Sequence, residues 1–222
     1  TMDCLSTPLL SPQATLHSVS SQTHPVVAGI LGGIGSGKSA VARGLADHLR
    51  VLIIDADRIG HDVLTFPKVK DRIRQSFGDD VFDSGEINRK RLAALVFGSE
   101  PHHSHSREVL ESIVHPEIRQ QAELQIQQAD GSPDVILLDA AVMLEAGWDD
   151  VCDFIVFVDT PFEVRLNRVQ QNRGWTEDEL RRREASQVPL EQKRQAAKFV
   201  IDNSGSLKDA VRQLASCFES TT

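Results

Sequence analysis

Residues Gly32-Gly33-Ile34-Gly35-Ser36-Gly37-Lys38-Ser39 decide the fold. They satisfy G-x-x-x-x-G-K-[ST] at every fixed position, and both flanks agree with it. Upstream, Val26-Val27-Ala28-Gly29-Ile30-Leu31 is apolar and strand-like; downstream, Ala40-Val41-Ala42-Arg43-Gly44-Leu45-Ala46 carries apolar residues at helical spacing. Strand, glycine loop and helix together make a cradle for a phosphate chain. Glycines reach positive φ, the N–H groups at the helix start point at the ligand, and the helix dipole adds positive potential there. Gly33, Ile34, Gly35, Ser36, Gly37 and Ala40 supply backbone, Lys38 reaches the β- and γ-phosphates, and Ser39 offers a hydroxyl to Mg²⁺. The loop taken alone says nucleoside triphosphate and no more.

Bulk properties narrow the class. The chain has 222 residues, 40% hydrophobic and 25% charged, with a formal net charge of −8. That is ordinary for a globular protein and long enough for one α/β domain carrying insertions. The acidic balance disfavours a nucleic-acid partner, while a local basic cluster can still take a small phosphorylated ligand. Cys4, Cys152 and Cys217 lie far apart with no CxxC spacing, so they read as thiols of a reducing, cytoplasmic compartment rather than as disulfides or metal ligands. No apolar run approaches the ~20 residues of a membrane span. Residues 1–25 are rich in Ser, Thr, Gln and Pro and lack the basic start and apolar middle of a secretion signal; a flexible tail is expected.

Strand and helix patterns alternate. Val26–Leu31, Val51–Ile54, Val135–Leu138, Phe154–Val158 and Phe199–Ile201 are near-continuous apolar runs, as strands of a parallel sheet buried on both faces read. The expected fold is α/β, a P-loop NTPase-type three-layer sandwich with a roughly five-stranded parallel sheet and right-handed crossovers. Leu207, Ala210, Val211, Leu214, Cys217 and Phe218 share one face of a last helix. Residues 59–134 are too long for a simple crossover and read as an inserted helical subdomain, with segments Val69–Phe77, Arg89–Phe97 and Arg107–Ala129. Residues 165–195 form a second insertion, in which Thr176-Glu177-Asp178-Glu179 is a capping box. The core is then 26–58, 135–164 and 196–220.

Further candidates are carboxylates, arginines and histidines. Asp55-Ala56-Asp57 follows the second strand, where alternate residues point the same way, so both carboxylates are expected to face the cleft at the strand ends. One can hold water on Mg²⁺ and the other accept a hydroxyl proton; helix capping accounts equally for one of the two. Asp57-Arg58-Ile59-Gly60 fits the D-x-x-G of GTPase switches, yet no guanine-reading Asn-Lys-x-Asp follows, which favours a kinase. Asp139 ends the third run, beside the metal or as a turn cap. Arg89 stands at the start of a short helix in the first insertion, and Arg168 and Arg173 at the start of the second, either as planar forks for phosphate or as surface charge. His102, His103 and His105 read as a solvated loop. His115-Pro116 interrupts a long helical pattern, predicting a kink or helix restart that can aim His115 into a cleft.

The chain resembles the dephospho-coenzyme A kinase family from about Val26 to Leu214. The resemblance is carried, in order, by Gly32–Ser39, Ile54-Asp55-Ala56-Asp57, Ile87-Asn88-Arg89-Lys90-Arg91-Leu92 with Val96-Phe97, Ile113-Val114-His115-Pro116, Leu138-Asp139 with Leu144-Glu145, Val158-Asp159, Glu184-Ala185-Ser186-Gln187 and Val200-Ile201-Asp202-Asn203-Ser204-Gly205. It implies ATP-dependent phosphorylation of the 3′-hydroxyl of dephospho-CoA; the sequence leaves open whether the protein is a monomer or a small homo-oligomer. It also implies roles: Asp57 activates the hydroxyl, Lys38 and the loop bind ATP, Arg89 stabilises phosphates, and Asn203 lies near the adenine. The first insertion would hold the acceptor with His115 near it, and residues 165–195 would be a lid bringing Arg168 or Arg173 onto ATP. Ser39, Asp55 and Asp139 would surround Mg²⁺. Leu31 stands where the family often has Thr. Arg168 and Arg173 are five apart where two family arginines tend to be four apart. Another small-molecule kinase of this loop class, or a weakly hydrolysing ATP-binding module, remains the alternative.

Overall fold

Alternation along the apolar runs sends side chains to two opposite faces, so each run is buried on both only if helices cover both sides. A computed structural model describes residues 24–97, 101–129 and 133–219. The tail expected over 1–25 lies outside them, apart from His24 and Pro25. In chain order the elements are β1 (Val26–Gly32), α1 (Lys38–Gly44), β2 (Val51–Asp55), α2 (Ala56–Val63), α3 (Pro67–Phe77), β3 (Phe82–Asp83), β4 (Glu86–Ile87), α4 (Arg89–Val96), α5 (Pro101–Gln128), β5 (Val135–Asp139), β6 (Phe154–Asp159), α6 (Phe162–Arg173), α7 (Glu177–Glu184), α8 (Leu190–Ala196), β7 (Phe199–Asp202) and α9 (Leu207–Glu219).

The five expected strands pair in one sheet of order β2-β5-β1-β6-β7, parallel throughout. β1 sits at the centre, so the glycine loop that leaves it emerges mid-edge, where ligands of open α/β sheets bind. On one face Ala28, Ile30, Leu137, Val156 and Ile201 pack against Val41 and Leu45 near the loop and Ala210, Val211 and Leu214 of α9. On the other, Val27, Leu31, Ile136, Leu138, Ile155 and Phe157 pack against Ile59 and Val63 of α2, Ile118 and Ala122 of α5, and Trp148. The two clusters make the three layers.

A third cluster, Val69, Ile73, Val81, Phe82, Leu92, Val96 and Ile113, gives the first insertion its own core. That insertion is not wholly helical: β3 and β4 form a small antiparallel hairpin through Ser84 and Gly85, both at positive φ. The helix expected from Arg107 begins at Pro101 instead, so His102, His103 and His105 lie in its first turns and not in a loop. Proline suits a first helical turn because the N–H it lacks has no partner there. Nor does α5 restart at Pro116; it runs through. The carbonyl that Pro116 deprives of its usual donor is that of Ser112, and Arg72 Nη2 donates to it at 3.3 Å.

α1 reaches α9 closely at Gly44, where an added Cβ would lie 2.5 Å from Val211 Cγ2. Gly44→Val is expected to lower unfolding free energy by about 1–3 kcal/mol through overpacking. Urea unfolding checks it: a midpoint equal to that of the parent chain contradicts the close approach.

Candidate active site

The loop forms because β1 delivers the chain at the sheet's edge and α1 removes it at once. Gly37 caps α1 at φ 84°. A Cβ on Gly37 would also sit 2.6 Å from Asn203 Nδ2, so conformation and space both require glycine. Three side chains converge on one backbone atom, the carbonyl oxygen of Ser36. Thr160 Oγ1 donates to it at 3.0 Å, Arg168 Nη1 at 2.9 Å and Asn203 Nδ2 at 2.6 Å. Arg168 Nη2 also donates to Asn203 O at 3.0 Å. Arg165 holds the loop from a second side. It is buried, donates through Nε to Thr160 O at 3.1 Å and through Nη1 to Ile34 O at 3.2 Å, and pairs with Glu184.

A cleft of about 700 Å³ opens over the loop, lined by every residue from Gly32 to Ala40 together with Asp57, Arg168 and Arg173. Its far wall carries Phe97, Arg107 and Glu111 from the first insertion. Ala141 and Val142 follow β5, and Trp175, Arg183, Ser186 and Gln187 come from the second. Lys38 forms an ion pair with Asp139, and Ser39 Oγ donates to Asp139 Oδ2 at 2.6 Å. Asp139 is buried behind these two. This oxygen set suits Mg²⁺, which is commonly held by one or two carboxylates with phosphate oxygens and water. Among the described residues there is no group of three His, Cys, Asp or Glu side chains that would hold a metal alone.

Asp57 lies in the first turn of α2 and faces the cleft. Desolvation by the cleft walls raises its pKa above the ordinary carboxylate value; Lys38 opposes this, Asp55 and Asp139 add to it, and His61 opposes it. The expectation that Asp55 and Asp57 share a direction is not met. Asp55 is the N-cap of α2 and accepts from Arg58 N at 3.0 Å. Asp55 is still extended but the helix begins at Ala56, so the two-residue period of a strand no longer carries through to Asp57. Asp55 stands beside the cleft rather than among its lining residues.

Other candidates divide. Arg89 begins α4, is exposed, and does not line this cleft. His115 is half-buried and meets Trp148 edge-on, with ring centroids 5.5 Å apart. It lies one helical turn beyond Glu111 in α5 and is not among the residues lining the cleft. Burial pushes its pKa below the ordinary histidine value, opposed by Glu111 and Glu145. Arg168 lines the cleft and holds the loop through Ser36 O, whereas Arg173 and Arg183 lie over the Trp175 ring at 4.8 and 4.2 Å on the cleft wall. Asn203 is buried, and its Oδ1 has no hydrogen-bond partner among the described residues. The capping box at Thr176 forms, with Oγ1 accepting from Glu179 N at 3.3 Å. Sequence reading missed Thr160, Arg165, Trp175 and Lys193. For Thr160 the signal was present, a polar residue just beyond a central strand's carboxyl end. For Lys193 there was none, because the short run Glu191-Gln192-Lys193-Arg194-Gln195 reads as a solvated face.

A family profile described as dephospho-CoA kinase matches residues 26–209. A dephospho-CoA kinase of Corynebacterium diphtheriae is 40% identical over 194 residues, covering 85% of this chain and 93% of the relative. One from Corynebacterium glutamicum is 38% identical over 185 residues, covering 82% and 90%. The crystal structure of TT1252 from Thermus thermophilus superposes with a TM-score of 0.75 at 30% identity, covering 90% of this chain and 99% of that one.

Two outcomes follow from this geometry. Gly37→Ala is expected to weaken ATP binding at least ~10-fold by forcing the loop off its path, since strained αL positions alone cost of order 1–3 kcal/mol; calorimetric titration with ATP checks this, and unchanged affinity contradicts it. His115 binds protons less readily folded than unfolded, so folding stability falls as pH drops through the ordinary histidine value toward its depressed one. His115→Gln is therefore expected to lose less stability than the parent chain between pH 7.5 and pH 5.5, a window set by the ~6.5 reference value. Equal losses in paired urea titrations contradict that assignment.

Proposed function

We propose that this chain, which belongs to the dephospho-CoA kinase family, transfers the γ-phosphoryl group of ATP to the 3′-hydroxyl of dephospho-CoA, giving CoA and ADP. The observation that carries the reading is the placement of Asp57 on the same cleft as Lys38 and the whole glycine loop. A phosphate donor site and an acceptor-side carboxylate thereby share one space. The insertion that walls the acceptor side, bringing Phe97, Arg107 and Glu111, suits a large acceptor.

The loop N–H groups and Lys38 bind the β- and γ-phosphates and hold them in place. Asp57 accepts the proton of the acceptor hydroxyl as its oxygen forms a bond to phosphorus; the bond from phosphorus to the β,γ-bridging oxygen breaks, and ADP leaves. Charge spreads over the transferred oxygens in that transition state, so fixed donors and cations aimed there supply most of the catalysis. Arg173 and Arg183 on the lid wall carry cationic charge to that region, whereas Arg168 acts on the loop itself. Mg²⁺, held through Ser39 and Asp139, would neutralise phosphate charge when bound. Asp55 serves α2 as its cap and so supports Asp57 indirectly. Asn203 Oδ1, buried and without a partner, supports a contact to the nucleotide base. We assign Arg89 and His115 to the acceptor-side insertion on the family resemblance. The wide spacing of Cys4, Cys152 and Cys217, without paired-cysteine motifs, supports a reducing, cytoplasmic setting.

Lys38→Ala and Asp57→Asn are each expected to lower kcat at least ~10²-fold, the range for removing a preorganised charge or a general base. A coupled assay of dephospho-CoA-dependent ADP release reads both. Near parental turnover in purified Asp57→Asn removes Asp57 from the chemistry, and ADP release indifferent to dephospho-CoA overturns the acceptor assignment.

A further inference from the structure

Lys193 in α8 is fully buried, an unusual place for lysine unless its ammonium is paired. Its Nζ donates to Ala141 O at 3.1 Å and to Gln187 Oε1 at 3.0 Å, with Glu145 Oε1 at 3.6 Å as counter-charge. These three partners come from two separate pieces of chain. Ala141 and Glu145 belong to the turn after β5; Gln187 belongs to the segment that returns from α7 to α8. Glu145 ties the same two pieces a second time, since its Oε1 accepts from Val188 N at 2.8 Å. Ala141 and Gln187 are both on the wall of the active-site cleft. α8 itself packs on β1 and β6, so Lys193 is referenced to the sheet that also carries the glycine loop.

We propose that Lys193 is a positioning residue: it locks the turn after β5 to the lid's return segment and so sets the cleft wall beside Lys38. The inference rests on the cleft being the phosphoryl-transfer site. Burial pulls the ammonium pKa of Lys193 below the ordinary lysine value while Glu145 holds it up, and the Lys38 charge is felt there as well. The cost of burying this cation is met by its three oxygen partners, and removing it releases two backbone segments at once. A wall displaced by about 1 Å is enough to cost phosphoryl transfer up to ~10²-fold without touching the loop that binds ATP.

Lys193→Met keeps side-chain length and bulk and removes the donors. Hydrogen-exchange mass spectrometry of the nucleotide-free protein should show amides of residues 186–188 exchanging at least ~10-fold faster, as expected when a local tether is lost. Turnover should fall ~10- to 100-fold while the ATP dissociation constant stays within ~3-fold, because the effect lies in positioning rather than uniform binding. The share of ATP hydrolysed without acceptor should also rise. A folded Lys193→Met with parental exchange, turnover and coupling overturns the proposal. If that variant does not fold, Gln187→Leu, at a half-buried position, should shift exchange at 186–188 and coupling in the same direction, and no shift overturns it. The exchange measurement needs no acceptor, so failure of the tether and failure of the dephospho-CoA assignment are told apart.

Discussion

The carbonyl oxygen of Ser36 is the point on which the site depends. A trans peptide ties the direction of one residue's C=O to that of the next residue's N–H. Fixing the Ser36 oxygen therefore fixes the Gly37 N–H on the opposite side of the plane. The three donors that fix it come from the end of β6, from α6 and from just beyond β7. The ends of β6 and β7 and the helix α6 thus converge on one atom of the glycine loop. Charge assistance from Arg168 makes that bond stronger than a neutral one. Arg165 and Arg168 fasten the first half of α6 to the loop, and Arg173, Trp175 and Arg183 on the cleft wall lie beyond these two anchors.

The sheet's carboxyl edge shows a second regularity. β2, β5, β6 and β7 end in Asp55, Asp139, Asp159 and Asp202, with Asp55 paired to Asp139 and Asp159 to Asp202, while central β1 ends in Gly32. Four carboxylates along one edge would repel one another and a polyphosphate if left bare. Each instead has donors or a cation. Asp55 caps α2, Asp139 takes Lys38 and Ser39, Asp159 pairs with Arg194, and Asp202 accepts from Ser204. Among these four, Asp139 alone bonds to residues of the glycine loop.

Much of this was legible in the sequence because buried parallel strands advertise themselves as apolar runs. All five were found, and each proved one residue longer at its carboxyl end. The reason is common to them: the last paired residue is Gly32 or an Asp, which joins the ladder but is not apolar and so ends the apolar pattern. What escaped lies where a local rule yields to its neighbours. The β3–β4 hairpin is two residues a strand, too short for alternation to show. Pro116 breaks a helix only if the freed carbonyl finds no donor, and Arg72, distant in sequence, supplies one. Asp55 and Asp57 were read with a strand's period where the helix had begun. Lys193 is buried by α8 meeting the β5 turn, which no local pattern of charges encodes.

Leu31 shows how this chain arranges Asp57 without the threonine that the family resemblance leads one to expect there. The side chain is 1% exposed and packs with Ile54, Ile59 and Leu138 on the α2 face of the sheet. A hydroxyl at that depth would need a partner or carry the cost of an unpaired buried group. Leucine removes that demand and adds apolar contact under α2. The direction of Asp57 then depends on how firmly the first turn of α2 is set. Two groups set it: the Asp55 carboxylate on the Arg58 N–H at one end, and the buried Ala56 and Ile59 at the other. In this chain the Asp57 carboxylate on the cleft is set by a helix cap and a hydrophobic seat, and the residue before the glycine loop contributes packing rather than a hydrogen bond.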